Sequence, residues 1–159
     1  MGNRHQMTSL PFLSTVTGSL DSKGRVCIPA SFRQVLASQN TAGVYVYPSF
    51  VDASIEGFGQ AAVDGLTARL SALDPFLSPT HDDMASTIMG RIQLLPTDDG
   101  GRVRLPDAMI AHAGLKDKVA FVGMGQKFKI WDANAYAAVE AESVARMKAK
   151  FEAAKEGGA

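Results

Sequence analysis

The chain has 159 residues, enough for one domain or two small halves and for a buried core without disulfide support. Sixteen basic residues balance sixteen acidic ones, so bulk charge argues neither for nor against a polyanionic partner and any electrostatic case must be local. Cys27 is the only cysteine, which excludes an intramolecular disulfide and a cysteine-based zinc site and fits a reducing cytosol. No stretch approaches the ~18 consecutive apolar residues of a membrane span. The opening MGNRHQMTSLPF lacks the apolar run of a signal peptide, and Met7 offers an alternative start with a loose six-residue arm before it.

Phe12–Leu20, rich in Thr, Val and Ser with an apolar rhythm, predicts a strand. Asp21-Ser22-Lys23-Gly24 has turn chemistry: Asp bonds the local backbone and Gly supplies a positive φ. Arg25–Ile28 predicts a second strand, so 12–28 reads as a β-hairpin. Pro29 suits a helix start, because its missing N–H costs nothing in the first turn. Ser31–Ser38 follows as a short helix with Phe32, Val35 and Leu36 on one face. Gly43–Tyr47 and Ser54–Phe58 predict two strands, the first stopped by Pro48. Ala61–Leu73 predicts a helix with Val63, Leu66, Leu70 and Leu73 on one face. Pro75–Pro79 is a break, and the boundary between two halves, 7–78 and 79–157, lies near it.

The order then starts again. Asp83–Gly90 reads as a helical turn, Ile92–Leu95 as a strand, Thr97–Gly101 as a turn and Arg102–Leu105 as a strand. Pro106–His112 predicts a short helix closed by Gly114. Val119–Gly123 and Phe128–Trp131 predict strands joined by a Gly-rich turn. Asp132 or Asn134 caps a last helix running to about Lys155, with a frayed Gly157-Gly158-Ala159 end. Tyr136, Val139, Val144, Met147 and Phe151 give that helix an imperfect apolar stripe, read first as packing onto the second half and second as an oligomer contact.

The chain therefore repeats itself. Residues 21–30 read DSKGRVCIPA and residues 98–107 read DDGGRVRLPD. Asp21, Gly24, Arg25, Val26 and Pro29 return as Asp98, Gly101, Arg102, Val103 and Pro106, each offset by 77 (98 − 21). Each half is hairpin, short helix, hairpin and longer helix, and two such halves can pair about a pseudo-twofold axis into one β-rich core of α+β class.

Three uses of the repeated turn compete. Asp and Arg can simply close a hairpin. Two Asp related by a pseudo-twofold axis can form a carboxylate dyad, although an Arg four residues after each keeps both ionised. Or the turn binds an anion, with Arg as the fork-shaped donor. The copies differ in charge. Lys23 and Arg25 against Asp21 sum to +1; Arg102 and Arg104 against Asp98, Asp99 and Asp107 sum to −1. Lys23 becomes Gly100, and Arg33 becomes Ile110 at the same offset. This tunes the first copy toward a polyanion and leaves the second as a structural echo or a weaker contact.

FLSTVTGSLDSKGRVCIPASFR (12–33) resembles the opening of the MraZ family, and TDDGGRVRLPDAM (97–109) and FVGMGQKFKIWD (121–132) resemble its second half. The resemblance covers Phe12 to about Glu142, and the paired Asp-x-x-x-Arg signature is its specific part. It implies a tandem fold of two AbrB/SpoVT-like swapped-hairpin half-units with flanking helices. It implies a ring-shaped homo-oligomer and a cytoplasmic, nucleoid-associated transcriptional regulator. Such a protein binds double-stranded DNA at repeated boxes upstream of its own cell-division and cell-wall operon and commonly represses it, needing no cofactor, metal or membrane and performing no catalysis. The family's signature lands on Asp21 and Arg25, and on Asp98 and Arg102, with Lys23, Gly24 and Arg33 completing the DNA-binding set. Arg25 suits a base edge, since Arg reads guanine bidentately. Lys23 suits phosphate, Arg33 either phosphate or Asp21, and Asp21 orients Arg25. The sequence departs from the family in its acidic Asp99 and in the length before Phe12. A protein-interaction module on the same fold, without nucleic acid, is the alternative.

Weaker constellations have plainer readings. His81-Asp82-Asp83 reads as a solvated loop or helix cap rather than a metal site. Gly123–Gly125 lacks the Lys-Ser/Thr sequel of a phosphate loop and reads as a hairpin turn. Phe128 and Trp131 sit on a strand and read as core rather than as stacking platforms for bases. His5, His81 and His112 have no ligand spacing, and Cys27 alternates to the face opposite Val26 and Ile28.

Overall fold

The computed structural model describes residues 10–157; the arm before Met7, Met7 itself and the last two residues lie outside that range. Among the described residues eight strands, five α-helices and one short 3-10 helix (Met89–Arg91) form in chain order. The first half supplies β1 (Thr15–Ser19), β2 (Arg25–Cys27), α1 (Ala30–Ser38), β3 (Val44–Pro48), β4 (Ile55–Phe58) and α2 (Gln60–Ser71). Then come α3 (Pro79–Thr87), β5 (Gln93–Leu95), β6 (Arg102–Arg104), α4 (Asp107–Ala113), β7 (Lys118–Gly123), β8 (Phe128–Asp132) and α5 (Ala133–Gly157). The class is α+β: an antiparallel sheet with helices around it.

Six strands form one sheet in the order β1-β7-β8-β4-β3-β5. Exchange β1 for β5, β3 for β7 and β4 for β8, and the order reads the same backwards. The repeat seen in the sequence is thus a near-twofold symmetry of the sheet. Its centre is the β4–β8 pair, with Glu56 opposite Lys129. The remaining strands, β2 and β6, make a separate two-stranded ribbon in which Val26 faces Val103, its own equivalent 77 residues on.

This overturns the 12–28 hairpin. The Asp21–Arg25 turn does close, with Arg25 O accepting from Asp21 N–H at 2.9 Å and Asp21 O accepting from Gly24 N–H at 3.0 Å. Beyond it the strands part: β1 pairs with β7 and β2 with β6, both strands of the other half. The same holds for β5 and β6, since β5 pairs with β3. The cause is burial. Each ribbon strand has three residues and one buried side chain, Val26 or Val103, and packing the two copies face to face removes both from water. Burying one valine is worth about 1.5–3 kcal/mol. The predicted β3–β4 and β7–β8 hairpins do form.

The core lies between the sheet, the ribbon and the short helices. Phe32, Val35 and Leu36 are the buried face of α1, as their spacing predicts, and Met109 and Ala113 are that of α4. Phe32 packs edge-on to Phe12 (5.4 Å between centroids) and tilted on Phe128 (4.9 Å). Trp131 and Phe128 are both buried, so neither is a base-stacking platform.

One buried polar cluster has no signal in the sequence. Glu56 is 3% exposed and accepts from Ser49 Oγ and Lys127 Nζ, each at 2.7 Å. Lys129 Nζ reaches Asp52 at 2.6 Å. Burial works against the Asp52 charge, but hydrogen bonds from Lys129 and Ser54 outweigh it and leave the carboxyl below its ordinary value. Buried charges persist when paired and fully hydrogen-bonded, and this cluster holds the β3–β4 turn against β8.

Two helices differ from expectation. The segment read as a turn at Asp83–Gly90 is helical from Pro79, because Ser78 Oγ accepts from His81 N–H at 3.2 Å and Pro79 takes the first helical position. That puts His81, Asp82 and Asp83 on a capped helix. In α5, Asp132 is the cap, accepting from Ala135 N–H at 3.2 Å. Only the start of α5 packs on β7 and β8; Val144, Met147 and Phe151 remain 47%, 48% and 63% exposed, so intrachain packing covers part of the stripe only.

Two outcomes test this packing. Phe32→Ala is expected to lower unfolding free energy by about 3–5 kcal/mol in a urea titration, as for a fully buried aromatic. A fragment ending at Ser78 loses β6 and β7, the partners of β2 and β1. It is expected to show no folded monomer by circular dichroism and sedimentation.

Candidate nucleic-acid interface

The two turns of the repeat have the same geometry. Asp21 Oδ1 accepts from the backbone N–H of Lys23 (2.9 Å) and of Arg25 (2.8 Å), and Oδ2 accepts from Arg25 Nε at 2.8 Å. Asp98 Oδ1 accepts from the N–H of Gly100 and of Arg102, both at 2.9 Å, and Oδ2 from Arg102 Nε at 3.1 Å. Gly24 and Gly101 have φ of +79° and +80°, a backbone that glycine adopts without the penalty a Cβ brings. The backbone N–H of Arg25 is the main influence holding the Asp21 carboxyl below 3.8, aided by the Arg25 guanidinium and Lys23 N–H. The N–H of Arg102 does the same for Asp98. Both carboxylates stay ionised, each on its own arginine, so they form no proton-sharing dyad.

The carboxylate uses only Nε of each arginine. Among the described residues no acceptor bonds the terminal nitrogens of Arg25 or Arg102, which leaves the outer edge of each guanidinium for a ligand. Aspartate thus fixes where the cation points without consuming its fork. Lys23 is exposed beside Arg25.

Reciprocal backbone bonds fix the two turns on one ribbon. Gly101 O accepts from Ile28 N–H at 2.9 Å, and Gly24 O accepts from Leu105 N–H at 2.8 Å. Because the ribbon is antiparallel, the turns lie at its opposite ends. Arg25 stands across from Arg104, and Cys27 across from Arg102. Val26 and Val103 point inward, so these four side chains share the outer face. Cys27 is on the outer face, as the alternation predicts.

Of the two roles expected of Arg33, the pairing with Asp21 does not form. Arg33 Nε donates to Ile28 O at 3.0 Å, and it does not reach Asp21, whose carboxylate is taken by the turn. Its guanidinium lies over the second turn: a Cβ on Gly101 would stand 2.7 Å from Arg33 Cζ. Ile110, at the equivalent position, covers Gly24 in the same way at 3.4 Å. Arg33 therefore adds its charge to the Arg102 end of the ribbon, across the halves, rather than to its own turn. Arg104 is the residue that summing charge copy by copy overlooks, because it belongs to the acidic copy but faces Arg25.

The turn carboxylates give a pH test. A carboxyl with a lowered folded value holds its turn fully above the ordinary 3.8 and loses that contribution as pH falls through the lowered value. Asp21 and Asp98 are expected to titrate below 3.8 in carbon-detected NMR. Ordinary values for both would contradict the hydrogen-bond sets above.

Comparison with known proteins agrees with the geometry. A family model described as "MraZ protein, putative antitoxin-like" matches residues 90–156. A "Transcriptional regulator MraZ" of Xanthobacter autotrophicus is 39% identical over 137 residues, covering 86% of this chain and 87% of the relative. Proteins of the same name from Parvibaculum lavamentivorans and Gluconobacter oxydans are 42% and 41% identical, covering 84% and 85% of their lengths. With identity at this level across most of both chains, and with the Asp-x-x-x-Arg turn present twice on one ribbon, the chain belongs to the MraZ family.

Proposed function

We propose that this chain is a DNA-binding transcriptional regulator that reads double-stranded DNA with the outer face of the β2–β6 ribbon. One observation carries the reading. Asp21 clamps Arg25 by Nε and leaves its terminal nitrogens without a partner among the described residues, on a half-buried side chain of the two-stranded ribbon's outer face. A two-stranded ribbon fits the major groove, and a pre-oriented guanidinium is the side chain that reads guanine O6 and N7. The names of the relatives support the same reading. It is not an enzyme's arrangement: both signature carboxylates are ionised and each is paired to a cation.

In this reading Arg25 contacts a base edge, Lys23 a phosphate, and Gly24 lets the turn approach the backbone. Asp21 and Asp98 act as positioning residues for Arg25 and Arg102, and Arg33 supports the second turn. The half-units, 7–78 and 79–157, are of the AbrB/SpoVT swapped-hairpin type, which the exchange of β1, β2, β5 and β6 between halves supports. One ribbon offers few phosphate contacts, and small basic modules bind DNA non-specifically at only ~10⁻⁴–10⁻⁶ M. A ring-shaped homo-oligomer presenting several ribbons to repeated boxes gains about 10²–10⁴-fold by effective concentration. This is how a chain with zero net charge represses its own cell-division and cell-wall operon, in the cytoplasm at the nucleoid, with neither cofactor nor membrane. Among the described residues no helix is long and apolar enough to cross a bilayer.

The test is binding of the purified protein to the DNA upstream of its own gene, against scrambled DNA, over a salt series. Salt-sensitive preference for the upstream DNA is expected, falling roughly 5- to 150-fold in Arg25→Ala, as for a lost bidentate arginine contact. Equal binding to scrambled DNA at every salt would favour the interaction module instead.

A further inference from the structure

The ribbon is symmetric in backbone and asymmetric in charge, and within its two strands one pair of positions makes the difference. Positions 27 and 104 are equivalents under the 77-residue offset (27 + 77), yet one is Cys and the other Arg. Antiparallel pairing places Arg104 directly opposite Arg25 and Cys27 directly opposite Arg102. One end of the strands' outer face therefore holds two guanidiniums with Lys23 nearby, and the other holds one guanidinium and a thiol, with Arg33 over the turn at that end offset by the acidic Asp99 within it.

Folding gives no reason for Arg104. Directly opposite residues have Cβ atoms about 4.5–5.5 Å apart, and like charges there oppose pairing. Arg25 is neutralised by Asp21 at 2.8 Å, but among the described residues no carboxylate lies within ion-pair distance of Arg104, and none of its nitrogens makes a side-chain hydrogen bond. An exposed cation held across from another cation is relieved by an anion that reaches both. Two adjacent forks on a groove-sized ribbon suit neighbouring acceptors on one DNA strand, a base edge for the clamped Arg25 and a phosphate or adjacent guanine for the free Arg104.

We infer that Arg104 is a second DNA-reading arginine acting beside Arg25, and that the ribbon engages duplex DNA with a fixed polarity, its Arg25–Arg104 end making the principal contact and its Arg102–Cys27 end the weaker one. This rests on the DNA-binding reading above. It revises the division of labour within it, since the strong end is built from both copies of the repeat. Cys27 is then the position that sets the polarity.

The experiment uses the full chain, the upstream duplex and its scrambled counterpart, with affinity measured by fluorescence anisotropy from low to moderate salt and thermal unfolding followed in parallel. Arg104→Ala is expected to lose roughly 5- to 150-fold in affinity for the upstream duplex. The slope of log affinity against log salt is expected to fall by about one if the contact is to phosphate. The melting temperature is expected to stay level or rise, because a like-charge pair is removed; a merely structural residue would lower it. Cys27→Arg is expected to tighten binding and steepen the salt slope by placing a second strand arginine opposite Arg102. Wild-type affinity in Arg104→Ala, with binding lost in Arg25→Ala, overturns this inference and leaves the DNA reading standing. Unchanged affinity in Cys27→Arg overturns the polarity. Failure of the wild-type chain to prefer the upstream duplex overturns the DNA reading itself.

Discussion

Two short strands from distant parts of the chain, β2 and β6, bury a valine each against the other, and their flanking amides close on the other copy's glycine: Ile28 N–H on Gly101 O, and Leu105 N–H on Gly24 O. Three-residue strands have no independent stability. The ribbon exists because Val26, Ile28, Val103 and Leu105 enter the same core as Phe32 and Phe128. Everything on the outer face follows from that inner face. Register is fixed by which residues are buried, and a slip of one would turn the arginines inward. The same constraint ties the halves together, since β1 and β5 must each cross to the other half's strand to keep the turns where the ribbon needs them.

Within this frame the aspartates solve a specific problem. An arginine on an exposed strand has many rotamers, and ordering it on contact with a ligand costs entropy. Asp21 and Asp98 order their arginines in advance through Nε and, with two backbone amides each, shape the turn as well. One carboxylate therefore sets both the bend of the chain and the aim of the cation. Pre-ordering of this kind favours specificity over raw attraction, which suits a chain whose net charge is zero.

Near-symmetry also explains where the two halves are free to differ. Positions that close the turn or fill the core recur: Asp21 and Asp98, Gly24 and Gly101, Val26 and Val103, Ile28 and Leu105. Positions on the outer face or covering the opposite turn do not: Lys23 and Gly100, Cys27 and Arg104, Arg33 and Ile110. Packing demands twin residues at twin places, while the surface carries no such demand. The first set reports the architecture, and the second carries the proposed chemistry. The ends of the halves differ most. The first half closes with α2, and the second opens with the Ser78-capped α3 and closes with the single long α5, whose distal apolar residues stay exposed.

Local chemistry was legible in the residues themselves. The 77-residue repeat, the Asp–Gly turns with positive φ, the apolar spacing of α1, the two later hairpins and a cap at Asp132 or Asn134 all follow from neighbours within a few positions, and so do Arg25 and Arg102 as clamped cations. The start of α3 was equally local, written in Ser78-Pro79, and needed only the cap to be weighed above the break. What the tertiary structure alone decided is which strand meets which. A turn sequence specifies a bend but not a partner, so the 12–28 segment has a hairpin's turn and no hairpin. The half-buried Glu56–Lys127 and Asp52–Lys129 pairs join residues more than 70 positions apart and leave no periodic trace. Arg104 and Arg25 are 79 residues apart (104 − 25) and become neighbours only because two valines are more stable facing each other than facing water.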